Sequence, residues 1–254
     1  TYKKWEVIIV DDYSSPSSLM QIQNYVKSFP NIHFITKTTE SKGASVSRNI
    51  GLNKAIGNYV IFLDADDILA SNKIELQLNA LTQKPDGFIA SCAWVKFDHD
   101  IKDARLEIQP VWTIENPVDW CVQSWTGGGM MIPGCWLIPR TVIDQAGPWD
   151  ENLSLHDDGE FMSRVLLASE GNCFVEDTKV YYRQVSSSLS KQNKSLKAAK
   201  SSLAVYRSYE NNLLKHKDDN ESRFALAYNY CQLLYEFYPR HKAVLNQARK
   251  YLKN

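Results

Sequence analysis

Gly57-Asn58-Tyr59-Val60-Ile61-Phe62-Leu63-Asp64-Ala65-Asp66-Asp67 is the stretch that decides the fold. Gly57-Asn58 stops a helix. The β-branched and aromatic run after it predicts a strand over 59–63, and that strand ends in three carboxylates. Upstream, Glu6-Val7-Ile8-Ile9-Val10 repeats the form and ends in Asp11-Asp12. A continuous apolar run of this length predicts a strand buried on both faces. Between them, Ser15 as N-cap and Pro16 at the first helical position open a helix with Leu19, Ile22, Tyr25 and Val26 on one side. A strand follows over 32–35. A second helix opens at Ser41-Lys42-Gly43 and carries Val46, Ile50 and Ile56. Downstream, Ser71 caps a helix with Ile74, Leu78 and Leu81 in register, and 88–95 reads as a fourth strand. Strands alternating with helices predict an α/β sandwich around a largely parallel sheet.

Over 97–135 the alternation breaks, in a stretch holding Trp112, Trp120, Trp125 and Gly127-Gly128-Gly129. A strand at 136–138, a short helix at 140–145 and a helix at 157–169 follow. Two short strands, 173–176 and 179–183, precede the polar tract Ser186-Ser187-Ser188. Glycine is absent from Asn172 onward. Apolar residues recur at helical spacing, first Leu203 and Tyr206, then Phe224, Tyr228, Cys231, Tyr235 and Tyr238. The expectation is a main domain over 1–190 and an appendage of about three helices over 191–254.

Composition limits the function. Of 254 residues, 29 are Lys or Arg and 29 Asp or Glu, so the net charge is zero and the global basic field of a nucleic-acid binder is absent. Apolar residues at 44% and charged at 23% exclude a disordered chain. Five scattered cysteines with no Cys-x-x-Cys pair argue against zinc and for reduced thiols in a cytoplasmic protein. No apolar run reaches the length of a membrane span.

Ligands of open α/β sheets bind beyond the carboxyl ends of the strands, where both acidic clusters lie. A lone Asp there more often caps turn amides. Five carboxylates in two clusters favour Mg²⁺ or Mn²⁺, or a nucleotide, because hard oxygen ligands suit these cations. The triple glycine lacks the Gly-Lys-Ser/Thr ending of a phosphate loop and reads as a flexible loop.

In order and content these pieces resemble the family 2 glycosyltransferases. The resemblance rests on 6–14, on Lys42-Gly43-Ala44-Ser45-Val46-Ser47-Arg48-Asn49-Ile50-Gly51, on 57–67, on Gly147-Pro148-Trp149-Asp150-Glu151, on Asp157-Asp158-Gly159-Glu160-Phe161-Met162-Ser163-Arg164, and on Tyr182-Arg183. It covers about residues 2–190. It implies a GT-A fold, a Rossmann-like sheet flanked by helices, and transfer of a sugar from a nucleotide diphosphate sugar, most commonly UDP-linked, to a glycan or lipid-linked acceptor. Asp11 and Asp12 would meet the nucleotide, with Asp12 on the base. Lys42 would meet the diphosphate and Arg48 would lie near the nucleotide. Asp64 and Ala65 would contact the donor, and Asp66 with Asp67 would hold Mn²⁺ or Mg²⁺. Asp158 falls on the catalytic base, with Asp157 beside it to raise its pKa. One carboxylate acting once inverts the anomeric centre.

Trp125, His156 and Arg164 are the acceptor candidates. Each has a plainer reading: a core ring for Trp125, a hydrogen-bonded imidazole for His156, and an i,i+4 pair with Glu160 for Arg164. The family also begins with a strand and helix that would precede Thr1, the strand lying between 6–10 and 59–63. The expectation is therefore a truncated form with a gap in its sheet. Other readings compete. A receiver domain would need a downstream Lys, a phosphatase a Thr or Val where Ile68 stands, and a nucleotidyltransferase a basic triphosphate loop. A degenerate, non-catalytic domain that binds a partner is the non-enzymatic alternative. The C-terminal helices would pack on the main domain, form a homodimer, or touch the inner membrane surface through Lys191, Lys194, Lys197 and Lys200.

Overall fold

The computed structural model describes residues 1–36, 43–184 and 194–252. Lys42 and the tract 186–188 lie outside the described residues, as does the expected 190/191 domain boundary. The chain runs β1 (Val7–Asp11), α1 (Pro16–Val26), β2 (Ile32–Thr36), α2 (Ala44–Lys54), β3 (Tyr59–Val60), β4 (Ile68–Leu69), α3 (Lys73–Leu81) and β5 (Phe88–Phe97). Then come β6 (Arg105–Leu106), α4 (Pro117–Trp125), β7 (Ile138–Pro139), α5 (Arg140–Ala146), α6 (Asp157–Ala168) and β8 (Gly171–Arg183). Three helices close it: α7 (Leu196–His216), α8 (Asn220–Phe237) and α9 (Lys242–Tyr251).

Both long ladders are parallel, β1 with β2 and β5 with β8. The antiparallel pairings, β3–β7, β4–β8 and β5–β6, are two residues each. β1–β2 and β3–β7 are separate two-stranded sheets, so among the described residues no ladder joins β1 to β3. Instead α2 bridges them. Glu6 Oε1 accepts from the amides of Ile56 and Gly57 at 2.8 and 3.0 Å, holding the foot of β1 against the turn that leads into β3.

Three expectations change. The strand predicted over 59–63 is laddered at Tyr59-Val60, because β7 is two residues long and among the described residues no other strand pairs with 61–63. The two strands predicted over 173–183 are one, β8, with a bulge. Cys92 pairs with Val175 and Ala93 with Lys179, which leaves 176–178 outside the ladder. Polar Glu176 and Asp177 in that bulge read as a break in the sequence. The unpatterned region holds α4, whose N-cap Asn116 accepts from the amides of Val118 and Asp119 ahead of Pro117.

Phe62 carries the packing under the acidic turn. Its ring meets Trp149 edge-on at 5.1 Å and Phe161 at 5.4 Å, while Trp149 and Phe161 stack at 4.1 Å. Trp112 stacks on Phe174, and Trp120 meets Trp136 edge-on. The C-terminal helices share this core. Ser201 of α7 accepts from the amides of Ser154 and Leu155, both at 3.0 Å, and Ser208 donates to Glu160 at 2.6 Å. On α8 the buried side is Leu226, Tyr230, Leu233 and Phe237. Of the stripe noted in the sequence, Phe224, Cys231, Tyr235 and Tyr238 are exposed and Tyr228 is half-buried.

Candidate active site

Asp11 fills the capping role that a post-strand Asp usually takes. It is buried, and its Oδ2 accepts from the amides of Tyr13 and Ser14, both at 3.1 Å. Asp12 reaches across to the start of α2, where its Oδ2 accepts from Gly43 N at 2.7 Å. Gly43 has φ 94°, a backbone state that glycine adopts without strain.

The turn after β3 divides its carboxylates. Asp64 Oδ1 meets Arg48 Nη2 at 2.7 Å. Ala65 and Asp66 are exposed, and the Asp66 carboxylate makes no hydrogen bond among the described residues. Asp67 is 8% exposed; its Oδ1 accepts from Arg183 N at 3.1 Å and its Oδ2 has no partner. Burial, with the charges of Asp64 and Asp66 added, pushes the Asp67 carboxyl up to about 7 from 3.8.

This shift has a consequence for stability. Between 3.8 and about 7 the folded chain holds a proton at Asp67 that the unfolded chain releases. Stability is therefore greatest at the acid end of that window, falls as pH rises through it, and is flat above it. Asp67→Asn removes this slope. By scanning calorimetry the variant is expected to melt above the wild type at pH 8, with the difference shrinking toward pH 4. An unchanged difference across that range would exclude it.

The second acidic pair opens α6. Asp157 Oδ2 accepts from Ser45 Oγ at 3.0 Å and from Arg48 Nη1 at 3.1 Å. Asp158 Oδ1 accepts from Gly159 N at 2.8 Å, and burial followed by the charge of Asp157 raises its pKa. Arg48 thus spans both clusters, and its guanidinium lies 4.4 Å from the centre of the Trp149 ring. Tyr182 marks the same convergence: burial and the charges of Asp67, Asp66, Asp64 and Asp158 together raise its phenol pKa.

Neighbouring turns hold this arrangement. Asn49 Nδ2 donates to Trp149 O at 3.0 Å and to Glu151 Oε1 at 2.8 Å, while its Oδ1 accepts from Trp149 N at 2.9 Å. Arg164 is bidentate to Glu160 and donates to the carbonyls of Ala146, Gly147 and Pro148. All its N–H donors are spent on Glu160 and on the turn after α5, so the acceptor expectation for Arg164 gives way to a structural role. Trp125 likewise is buried and stacks on Tyr209 at 4.1 Å, which removes that ring face from a sugar. His156 sits at φ 60° just before α6, stacked on Tyr206, and its buried Nε2 has no partner among the described residues.

Sequence reasoning missed Asn49, Trp149 and Tyr182 as parts of the site, although each lies inside a quoted motif. It also missed Tyr209, which no motif marks. A Cβ on Gly159 would meet the Tyr209 hydroxyl at 2.7 Å, so glycine lets α7 approach the start of α6. Among the described residues no three His, Cys, Asp or Glu side chains are grouped to hold a metal ion, and no helix is long and apolar enough to cross a membrane.

The fold is GT-A. The chain matches the Staphylococcus aureus TarS 1–349 structure in complex with UDP-GlcNAc with a TM-score of 0.72 at 15% identity, covering 96% of this chain and 70% of that one. The chain itself belongs to glycosyl transferase family 2, whose profile matches residues 1–147. An uncharacterized glycosyltransferase of Haemophilus influenzae is 40% identical over 84 residues, 33% of each chain. The Bacillus subtilis putative teichuronic acid biosynthesis glycosyltransferase TuaG is 39% identical over 88 residues, 35% of this chain and 34% of that one. The Escherichia coli UDP-Glc:alpha-D-GlcNAc-diphosphoundecaprenol beta-1,3-glucosyltransferase WfgD is 34% identical over 89 residues, 35% of this chain and 34% of its own. The matched stretches span about a third of these relatives.

Proposed function

We propose that this protein transfers a sugar from a UDP-linked donor to a hydroxyl of a glycan or lipid-linked acceptor, inverting the anomeric centre. The observation that carries the reading is Arg48, which ties Asp64 and Asp157 together and so sets the turn of Asp66 and Asp67 against the start of α6. Asp158, made a stronger base by burial and by the charge of Asp157, takes in its ionised form the proton of the acceptor hydroxyl as it attacks C1. Asp12 and Asp11 face the nucleotide end. The relatives' names support a UDP donor and a polysaccharide setting.

The residues fit a divalent cation. Asp66 is exposed and unclaimed, and Asp67 has a buried oxygen without a partner beside it. Two carboxylates suit Mg²⁺ or Mn²⁺, which take their remaining ligands from phosphates and water. Such an ion, held by Asp66 and Asp67, would supply charge to the diphosphate leaving group. It requires the ionised form of Asp67, so metal affinity should fall below about pH 7.

The test is calorimetric titration of UDP, GDP and dTDP with and without Mn²⁺. Manganese-dependent binding of UDP, lost in Asp66→Ala, is the expected result. Binding that ignores Mn²⁺ and survives Asp66→Ala would remove the metal from the reading. Failure of the wild type to bind any nucleotide would overturn it.

A further inference from the structure

We infer that the outward face of α8 is the contact surface of a symmetric homodimer in which two copies of α8 pack antiparallel around Cys231. Phe224, Tyr228, Cys231, Tyr235 and Tyr238 repeat at spacings of four and three, the period of a coiled-coil seam. Phe224 is 63%, Tyr235 85% and Tyr238 69% exposed, so nothing described in the chain covers this face. The inward face, Leu226, Tyr230, Leu233 and Phe237, has the same spacing and is already buried. A helix that is apolar on both sides is a helix buried on both sides, and here the described residues leave the second side uncovered.

The occupant follows from pattern and charge. The stripe is nearly palindromic about Cys231. A two-fold axis there sets Phe224 against the second copy's Tyr238 and Tyr228 against its Tyr235. Between Phe224 and Tyr235 no charge lies on the stripe, so a second identical stripe can cover it without stranding an ion. The ends differ in sign. Asp218, Asp219 and Glu221 flank the start of α8, where Lys217 and Arg223 are already engaged by these acids. Arg240 and Lys242 follow its far end in sequence, and Arg249 lines the groove there beside a single acid, Glu236. Antiparallel packing brings acidic end to basic end, whereas parallel packing would bring like to like. The groove beside Tyr235 and Tyr238, lined also by Gln232, Leu234, Glu236, Arg249 and Lys194, receives the second copy's Phe224. This is an isologous contact, in which one patch serves both copies.

The experiment is sedimentation velocity of the full chain over about 1–100 µM, the range for a small seam. A concentration-dependent dimer is expected, weakened at least about tenfold by Tyr235→Glu, with an unchanged melting temperature at dilutions where both chains are monomeric, because that ring is exposed in the monomer. Copper-phenanthroline and dioxygen provide the second readout. Two Cys231 thiols lose their protons and two electrons to form one S–S bond, and dioxygen is reduced to hydrogen peroxide. Cys92, Cys121 and Cys135 are buried, and the half-buried Cys173 is changed to Ser in every chain tested, so the dimeric product is expected to vanish in Cys231→Ser while the non-covalent dimer persists. In that background, mixed Phe224→Cys and Tyr238→Cys chains are expected to cross-link with each other, and Phe224→Cys alone is not. A monomer throughout the range, or a dimer indifferent to Tyr235→Glu, overturns the inference. So does binding of a monomer to phosphatidylglycerol vesicles that Tyr235→Glu abolishes, which would give the face to a membrane.

Discussion

Asp158→Asn is expected to lower sugar transfer by about 10²–10⁴-fold, the range for removing a general base, while UDP binding with Mn²⁺ stays within twofold of the wild type. The variant keeps the shape of the side chain and the acceptor of the 2.8 Å bond from Gly159 N. It loses the charge and the lone pair that would take the acceptor's proton. The same substitution should stabilise the fold. Burial and Asp157 raise the pKa of Asp158, so its ionised form costs stability as pH rises from the acid range through the raised value. Neutral Asn removes that cost, and the melting temperature at pH 8 is expected to be equal or higher. A carboxylate whose loss destroys turnover and strengthens the fold has been kept for chemistry. The assay is UDP release from UDP-glucose and UDP-GlcNAc with a synthetic diphosphate-linked GlcNAc lipid as acceptor. Turnover in Asp158→Asn within threefold of an active wild type would assign the base elsewhere. The wild-type rate should fall with acidification as Asp158 takes up its proton.

Much of this site is legible in the sequence because the chain places its carboxylates where strands and helices end. The acidic ends of 6–10 and 59–63 and the pair at 157–158 are visible as residues. Local periodicity cannot tell which of them meet. That depends on Arg48, one of two basic residues on an otherwise ordinary helix, whose two partners are far apart in sequence. Trp125 and Arg164 mislead for the same reason. A tryptophan beside a glycine tract and an arginine near an acidic pair look ligand-facing until their packing partners, Tyr209 and the carbonyls at 146–148, are in place. Helix α8 is legible as a helix but not in its orientation. Both faces carry apolar residues at spacings of three and four, so periodicity marks a helix without saying which side the core takes. The strand predicted at 59–63 is short because strand length depends on a partner, and the partner's length is not a property of the run itself.

Arg48→Leu tests whether the two acidic clusters are held together by that one cation. The guanidinium is 15% exposed and bonds Asp64 at 2.7 Å and Asp157 at 3.1 Å. Leucine retains apolar contact with Trp149 and deletes the charge. What remains is Asp157, one-quarter exposed, and Asp64, about two-fifths exposed, near Asp66, Asp67 and Asp158 without the cation that joined them. Breaking a fully buried pair costs about 3–5 kcal/mol. Solvent screening of Asp64 reduces that, so a loss of about 2–3 kcal/mol by urea denaturation is expected at pH 7. Arg48→Lys should recover little of it, because one ammonium cannot bond two carboxylates in the planar fork that guanidinium provides. The companion variant Arg48→Leu/Asp157→Asn separates charge from packing. If the cost is repulsion among stranded carboxylates, neutralising one restores about 1 kcal/mol or more. If the double variant is as unstable as the sum of the two single variants, the cost is packing alone. UDP binding should weaken in Arg48→Leu and improve in the double variant, since the same cation sets the turn of Asp66 against α6. A single variant within about 0.5 kcal/mol of the wild type would mean that the clusters hold their places without Arg48.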